Sequence, residues 1–312
     1  MIKNFSSPRS IIFSQVTKLA QASFGVAIAL TLASNPSWAD DPFRAEKPRN
    51  IGDNTEQAFK AVFQRGDYPT AERYLNQAIS SEANEPLAYA MKASLAYING
   101  DLTGLSNYGK KTLETGQKLV ATDELRGNIY TAVGHFLEGG AIISREGTLR
   151  GAPQALGRLR QVYEYLDRAE AISPRDPELN LLKGYMDLML SVSLPFANPD
   201  EAINRLQTNA APQYLTNRGI AIAYRDLKQY SQALDYANRA IKEASDNPEL
   251  YYLKAQILKG QGSQEKSQQL IREAIANFDK ALTKRSQLPS PLVKQIESER
   301  NNAVNNLNSA GR

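Results

Sequence analysis

Apolar positions in this chain recur at helical spacing, in paired blocks that repeat along the sequence. Near the C-terminus, Tyr251, Ala255 and Leu258 fall on one stripe, and Gly260 and Gly262 interrupt it. Leu270, Ile271, Ala274, Ile275 and Phe278 then form a second stripe. Moved back 34 positions, the second block lies on another of the same kind: Ala237 on Ile271, Ala240 on Ala274, Ile241 on Ile275 and Leu234 on Gln268. A fixed period of this length marks a repeated helix pair that buries its apolar face against its neighbours. Alanines at the crossings let two helices approach, and larger residues fill the spaces between pairs.

The same block appears earlier as Gly66-Asp67-Tyr68, Ala71, Leu75, Ala78 and Ile79, and again as Ala221, Tyr224, Tyr230, Ala233, Ala240 and Ile241. With these residues in these places the chain resembles the tetratricopeptide repeat (TPR) family, stacks of antiparallel helix pairs. The predicted fold is therefore all-α, an α-α superhelix, or solenoid, of TPR hairpins with a C-terminal capping helix. About six units follow, at 52–85, 86–119, 120–176, 177–213, 214–247 and 248–281, within a domain spanning 55–308. Leu105, Gly109 and Thr112 replace the small-residue ladder of the second unit, which predicts a looser return helix. A final helix at 290–308, with Leu292, Ile296, Ala303 and Leu307 inward, supplies the polar-faced cap such an array needs.

Two stretches break the period. The third unit carries an insert at 139–157 rich in glycine, which predicts a break without a helical stripe. In and just after it stand the insert arginines Arg145, Arg150, Arg158 and Arg160, with Glu146 as the only acid among them; arginine forks suit carboxylates and phosphates. The fourth unit has a stretched turn through 191–197, after which Asn198 and Pro199 offer an N-cap and a first helical position.

The N-terminus looks like a targeting segment. Lys3, Arg9 and Lys18 precede or flank the apolar run Leu19–Ala33, and Ser37-Trp38-Ala39 offers small residues where a signal peptidase reads. The run is short for a membrane span of about 20 residues, so 1–39 reads as a signal peptide of the general secretory route. That places the protein in the periplasm, with a thylakoid lumen or the medium as alternatives. Its three basic residues account for most of the formal charge, which falls from +4 to +1 without them. The remainder gives no general basis for nucleic-acid or membrane binding. Residues 40–54, polar and broken by Pro42, Pro48 and Gly52, read as a disordered lead-in.

Candidate chemistry is sparse. One histidine, His135, and no cysteine leave no His/Cys zinc site, no cysteine nucleophile and no disulfide. A Ser-His-Asp triad would have to use His135, and the glycine-rich insert lacks the lysine of a phosphate-binding loop. Carboxylates such as Asp226 and Asp235 are scattered as on solvated helix faces. No catalytic residue, metal or cofactor is expected, and the chain reads as a non-enzyme.

The resemblance implies instead that the first helix of each unit lines a concave groove that holds a protein segment. Carried over onto this sequence, its inward positions are Lys60, Phe63, Ser94, Tyr97, Asn128, Tyr185, Leu188, Arg218, Arg225, Tyr252 and Gln256. The family's Lys/Asn clamp for a carboxyl terminus is not reproduced at these positions. Exported members serve photosystem or outer-membrane assembly and polysaccharide export, so the expected partner is a protein or peptide. The alternative is an anionic glycan or lipid headgroup held by the insert arginines.

Overall fold

The computed structural model describes residues 41–193 and 199–309. The proposed signal peptide at 1–39, Asp40, residues 194–197 of the stretched turn and the N-cap candidate Asn198 lie outside the described residues, while residues 191–193 of that turn end the helix Pro177–Ser193.

Twelve α-helices and one short 3-10 turn make up the described chain, and the helices pack in sequence-adjacent pairs. They are α1 (Asp53–Arg65), α2 (Tyr68–Ser81), α3 (Pro86–Ile98), α4 (Leu102–Leu119), α5 (Glu124–Ile172) and α6 (Pro177–Ser193). They continue with α7 (Asp200–Asn209), α8 (Gln213–Asp226), α9 (Tyr230–Glu243), α10 (Pro248–Glu265), α11 (Gln268–Leu282) and α12 (Ser290–Ser309). Starts are set by local chemistry: Asp67, Asp101 and Asp123 each accept a hydrogen bond from a backbone N–H of the first turn. The α1–α2 turn uses Gly66 in the left-handed conformation (φ 61°), which frees its N–H to close onto the Val62 carbonyl.

The 34-residue offset is visible in burial. Ala237, Ala240 and Ala244 are buried in the fifth unit, and so are Ile271, Ala274 and Phe278 in the sixth. The predicted break at Gly260 and Gly262 is absent. Helix α10 runs one turn further, to Glu265, and turns at Lys266 (φ 52°). Gly260 is instead a contact residue, because a Cβ there would lie 2.5 Å from the Tyr230 ring. The return helix of the second unit is tight, not loose. Gly116 brings α4 against the α5 backbone, where a Cβ would sit 2.7 Å from the Thr131 nitrogen, and Leu105 and Thr112 are buried.

The insert at 139–157 is helical, contrary to the sequence expectation. Helix α5 is two arms, 124–146 and 148–172, that meet at Gly147 (φ 74°, ψ 166°), a conformation open in practice to glycine alone. The arms run antiparallel. Gly151 lies against Ile142 and Ile143, Gly139 lies against Arg158, and His135 stacks on Tyr165. Two of the glycines read as helix breakers thus sit where the arms approach, and only Gly147 breaks the helix.

The lead-in is also ordered. Residues 41–51 form a strap against α1 and the start of α6, with Phe43 and Ile51 buried, Phe43 edge-on to Phe59 at 5.1 Å and Arg44 on Asp176 and Glu178. Its polarity misled because Arg44 and Asp41 are satisfied by residues far along the chain. The array also curls back on its own start. The Asn247 side chain donates to the Phe63 carbonyl (3.2 Å), and the Tyr68 hydroxyl donates to Glu249 (2.9 Å), joining the first helix pair to the start of α10.

Candidate binding cavity

The inward face of the first helices divides into three zones, and a different class of residue fills each.

The first zone is a buried ion network beneath the strap. Arg44 donates to Asp176 (2.7 and 2.5 Å), Glu178 (3.1 Å) and Asp41 (2.8 Å). Arg126 forks onto Glu85 (3.0 and 2.8 Å) and reaches Glu178 (3.3 Å), while the Tyr130 hydroxyl donates to Glu178 (2.5 Å). Burial works to raise the Glu178 carboxyl, but Arg126 and Arg44 outweigh it and hold the group below the usual carboxylate range. Burial dominates at Glu85 and raises it despite Arg126. Each of these charges has a partner of opposite sign, and the network joins α3, α5, α6 and the strap.

The second zone is a small apolar cavity of about 90 Å³ under Phe43, walled by Phe59, Phe63, Met91, Tyr130 and Tyr185 among others. Phe63 and Ser94, both expected in the groove, are buried here beneath the chain's own strap. Tyr185 donates to the Leu215 carbonyl (2.6 Å) and lines the same space.

The third zone is open. A cavity of about 590 Å³ lies between the end of α3, the helices α8, α10 and α12, and Tyr68 at the start of α2. Five expected groove residues meet there: Tyr97, Arg218, Arg225, Tyr252 and Gln256. Its floor is the buried pair Arg218–Glu249 (2.8 Å), on which Tyr68 also rests. Burial opposes the Arg218 charge, and Glu249 more than restores it. One wall is a polar relay: Arg225 donates to Gln256 (2.6 Å), and Gln256 (3.2 Å) and the Tyr252 hydroxyl (2.6 Å) donate to Glu299. Burial, then Glu299, drives the Tyr252 hydroxyl far above its ordinary pKa. Tyr97, Ile98, Ile222, Leu253 and Leu292 supply apolar surface, and Lys259 stands at the edge without an ion pair.

The other expected groove residues lie elsewhere. Lys60 pairs with Glu56 along α1, Asn128 donates to the Glu124 carbonyl (2.7 Å), and Leu188 is core. Among the described residues, the eleven expected positions do not line one cavity: five meet in the third zone, Phe63, Ser94 and Tyr185 line the second, and Lys60, Asn128 and Leu188 line neither. Tyr68, Glu249, Lys259 and Glu299 line the cavity and were missed. Tyr68 read as a turn residue, and Glu299 as part of the solvated face of the cap, although it lies one turn past Ile296 at the edge of the inward stripe.

The four insert arginines do not converge on one point. Arg158 is held by Glu138 (3.0 Å) and Gln161 (3.0 Å), and Arg145 by Glu146 (2.9 Å), while Arg150 and Arg160 project into solvent. Among the described residues, no group of three His, Asp or Glu is placed to hold a metal, and no helix is long and apolar enough to cross a membrane. Compared with protein-family models, curated proteins and solved structures, the chain matches none.

Proposed function

We propose that this is an exported, non-enzymatic scaffold of TPR type that binds a short segment of a partner protein in the 590 Å³ cavity and supports assembly of an envelope or photosynthetic-membrane complex. The convergence of Tyr97, Arg218, Arg225, Tyr252 and Gln256 on one open cavity carries the reading. Aromatic and arginine side chains at the centre of a concave site are the types that dominate binding energy. The volume lies within the range of about 300–1,000 Å³ typical of ligand sites, which suits a few residues of a segment better than a long extended peptide. Gln256, Gln295 and Glu299, hydrogen-bonded to one another, line the same cavity and carry donor and acceptor groups of the kind a peptide backbone engages. Repeated helix pairs and the repeat-spaced burial support the family assignment, and the sequence of 1–39 supports export.

The test is a photo-crosslinking residue placed at Leu292, on the cavity rim, in the full chain within its native envelope. One protein should be captured at a defined peptide, and Tyr97→Ala with Arg225→Ala should remove that adduct. An adduct that survives both substitutions, or a cavity that retains a small molecule in native mass spectrometry and yields no protein, would overturn the reading.

A further inference from the structure

Helices α1, α2, α3, α8 and α9 are 13 or 14 residues long. The α5 arms at 124–146 and 148–172 are each about ten residues longer, or about 15 Å at the helical rise. Helix α4 meets the first arm as far as Leu137 and Glu138, opposite Gly109, and α6 meets the second arm where Tyr163 donates to Asp187 (2.8 Å). Beyond these points the arms hold each other: Gly151 on Ile142, Gln154 on Glu146. The hairpin therefore presents a convex end.

That end is unusual in what it exposes. Leu149 is 91% exposed and Leu156 59%, two of the four large hydrophobic residues left open among the described residues. On the second arm, Leu149, Pro153, Leu156 and Arg160 follow helical spacing and form one exposed stripe. Arg150 flanks the stripe, Arg160 ends it, and neither has a partner. Arg145, across the tip, is 62% exposed and bound only to Glu146. An apolar stripe edged by cations suits the boundary between anionic headgroups and acyl chains.

We propose that the tip of the α5 hairpin docks on an anionic lipid surface, with Leu149 entering the interface and Arg150 and Arg160 on the headgroups. A second copy of the chain fits poorly, because two such tips would bring these unpaired arginines together. A folded acidic partner would meet a convex end that offers no recess for its side chains. A plane of lipid requires only the protruding point. This site is separate from the 590 Å³ cavity and holds whether or not a segment binds there.

The chain has no cysteine, so Leu149→Cys takes a single environment-sensitive fluorophore. The full chain carrying that probe is titrated with vesicles of phosphatidylglycerol mixed with phosphatidylcholine, beside vesicles of phosphatidylcholine alone. Gln77→Cys, exposed on α2, carries the control probe, which separates tip insertion from insertion of the N-terminal apolar run. The expected result is a blue shift at position 149 with the anionic vesicles only, no shift at 77, and reversal by high salt. Each basic residue near such a surface is worth about fivefold, so Arg150→Ala with Arg160→Ala should weaken binding about 25-fold. The proposal fails if position 149 does not shift, shifts equally with uncharged vesicles, or shifts together with position 77. It also fails if polyglutamate without lipid gives the same response, which would mark an acidic protein as the partner.

Discussion

Replacing Arg44 with alanine tests whether the N-terminal strap is a docked element held by charge. The guanidinium is nearly enclosed, and it neutralises Asp176, Glu178 and Asp41, which are themselves buried. Removing one member of a buried ion pair costs about 3–5 kcal/mol, because the remaining charges lose their partner. Losing the Phe43 ring from its pocket should cost a similar amount, about 3–5 kcal/mol for a buried Phe→Ala change. These costs cannot simply add. The strap lies outside the helix pairs, and once residues 41–51 leave their contacts neither substitution can do more harm. Glu178 would still have Arg126 and the Tyr130 hydroxyl, so the helices beneath should remain folded.

The assay is amide hydrogen exchange across the chain, for wild type, Arg44→Ala, Phe43→Ala and the double variant. With Arg44→Ala, strap amides such as those of Phe43 and Arg49, which donate to Asp41, should exchange at least about a hundredfold faster, the equivalent of about 3 kcal/mol of lost protection. Exchange in α5 and α6 should change little. The double variant should be no worse than the more damaging single one. Slow strap exchange in Arg44→Ala would show that the ion network does not hold the strap. Strictly additive losses would show that Phe43 and Arg44 are separate contacts and not one docked unit.

Three further outcomes follow from the same geometry. Gly116→Ala places a methyl group 2.7 Å from the Tyr130 carbonyl carbon and should cost about 1–3 kcal/mol by prising α4 from α5; Gly140→Ala, which meets open space, should stabilise by up to about 1 kcal/mol. Urea midpoints of the two variants should therefore move in opposite directions. Gly147→Ala forces a side chain into a glycine-only conformation and should cost about 1–3 kcal/mol, seen as faster exchange confined to the hairpin tip. His135 is held below its ordinary pKa, first by burial and then by the adjacent Arg158, with Glu164 opposing and Glu138 at 3.9 Å. A folded-state pKa below the unfolded value gives stability that is present above the unfolded pKa and lost as pH falls through the folded one. The wild type should lose stability as pH falls below the ordinary histidine value of about 6.5, and His135→Gln should show less of that slope in urea titrations at each pH.

The helix pairs were legible because their evidence is local. A stripe such as Ile271, Ala274 and Phe278 carries its period within a few turns, and its copy at Ala237, Ala240 and Ala244 lies one offset away. The strap was not legible because what orders it lies far away in sequence. Arg44 finds Asp176 across 132 positions, and nothing near Arg44 announces that pairing. The insert failed for a different reason. Composition counts glycines as breakers, but geometry separates them: Gly147 turns the chain, while Gly139 and Gly151 let two arms touch. A glycine that turns a chain and one that permits contact are the same letter, and only the facing helix distinguishes them.

The same consideration limits how far a groove can be carried over from a repeat pattern. An inward position on a first helix is a binding position only while the space in front of it stays open. Phe63 and Ser94 lose that space to the strap. Arg218 is committed to Glu249, which the turn at Asn247 brings to the first unit through Tyr68. What stays open is the region between α12, α8 and α10, where Tyr97, Arg225 and Gln256 line a cavity. Substitutions inside the strap zone should therefore act on stability. Substitution of Lys259, which lines that wall without an ion pair, should act on binding and leave the fold intact, whereas Arg225 and Gln256 also tie α8 and α10 to α12 and should act on both. A stability scan across both sets, read beside the crosslinking at Leu292, separates the two roles residue by residue.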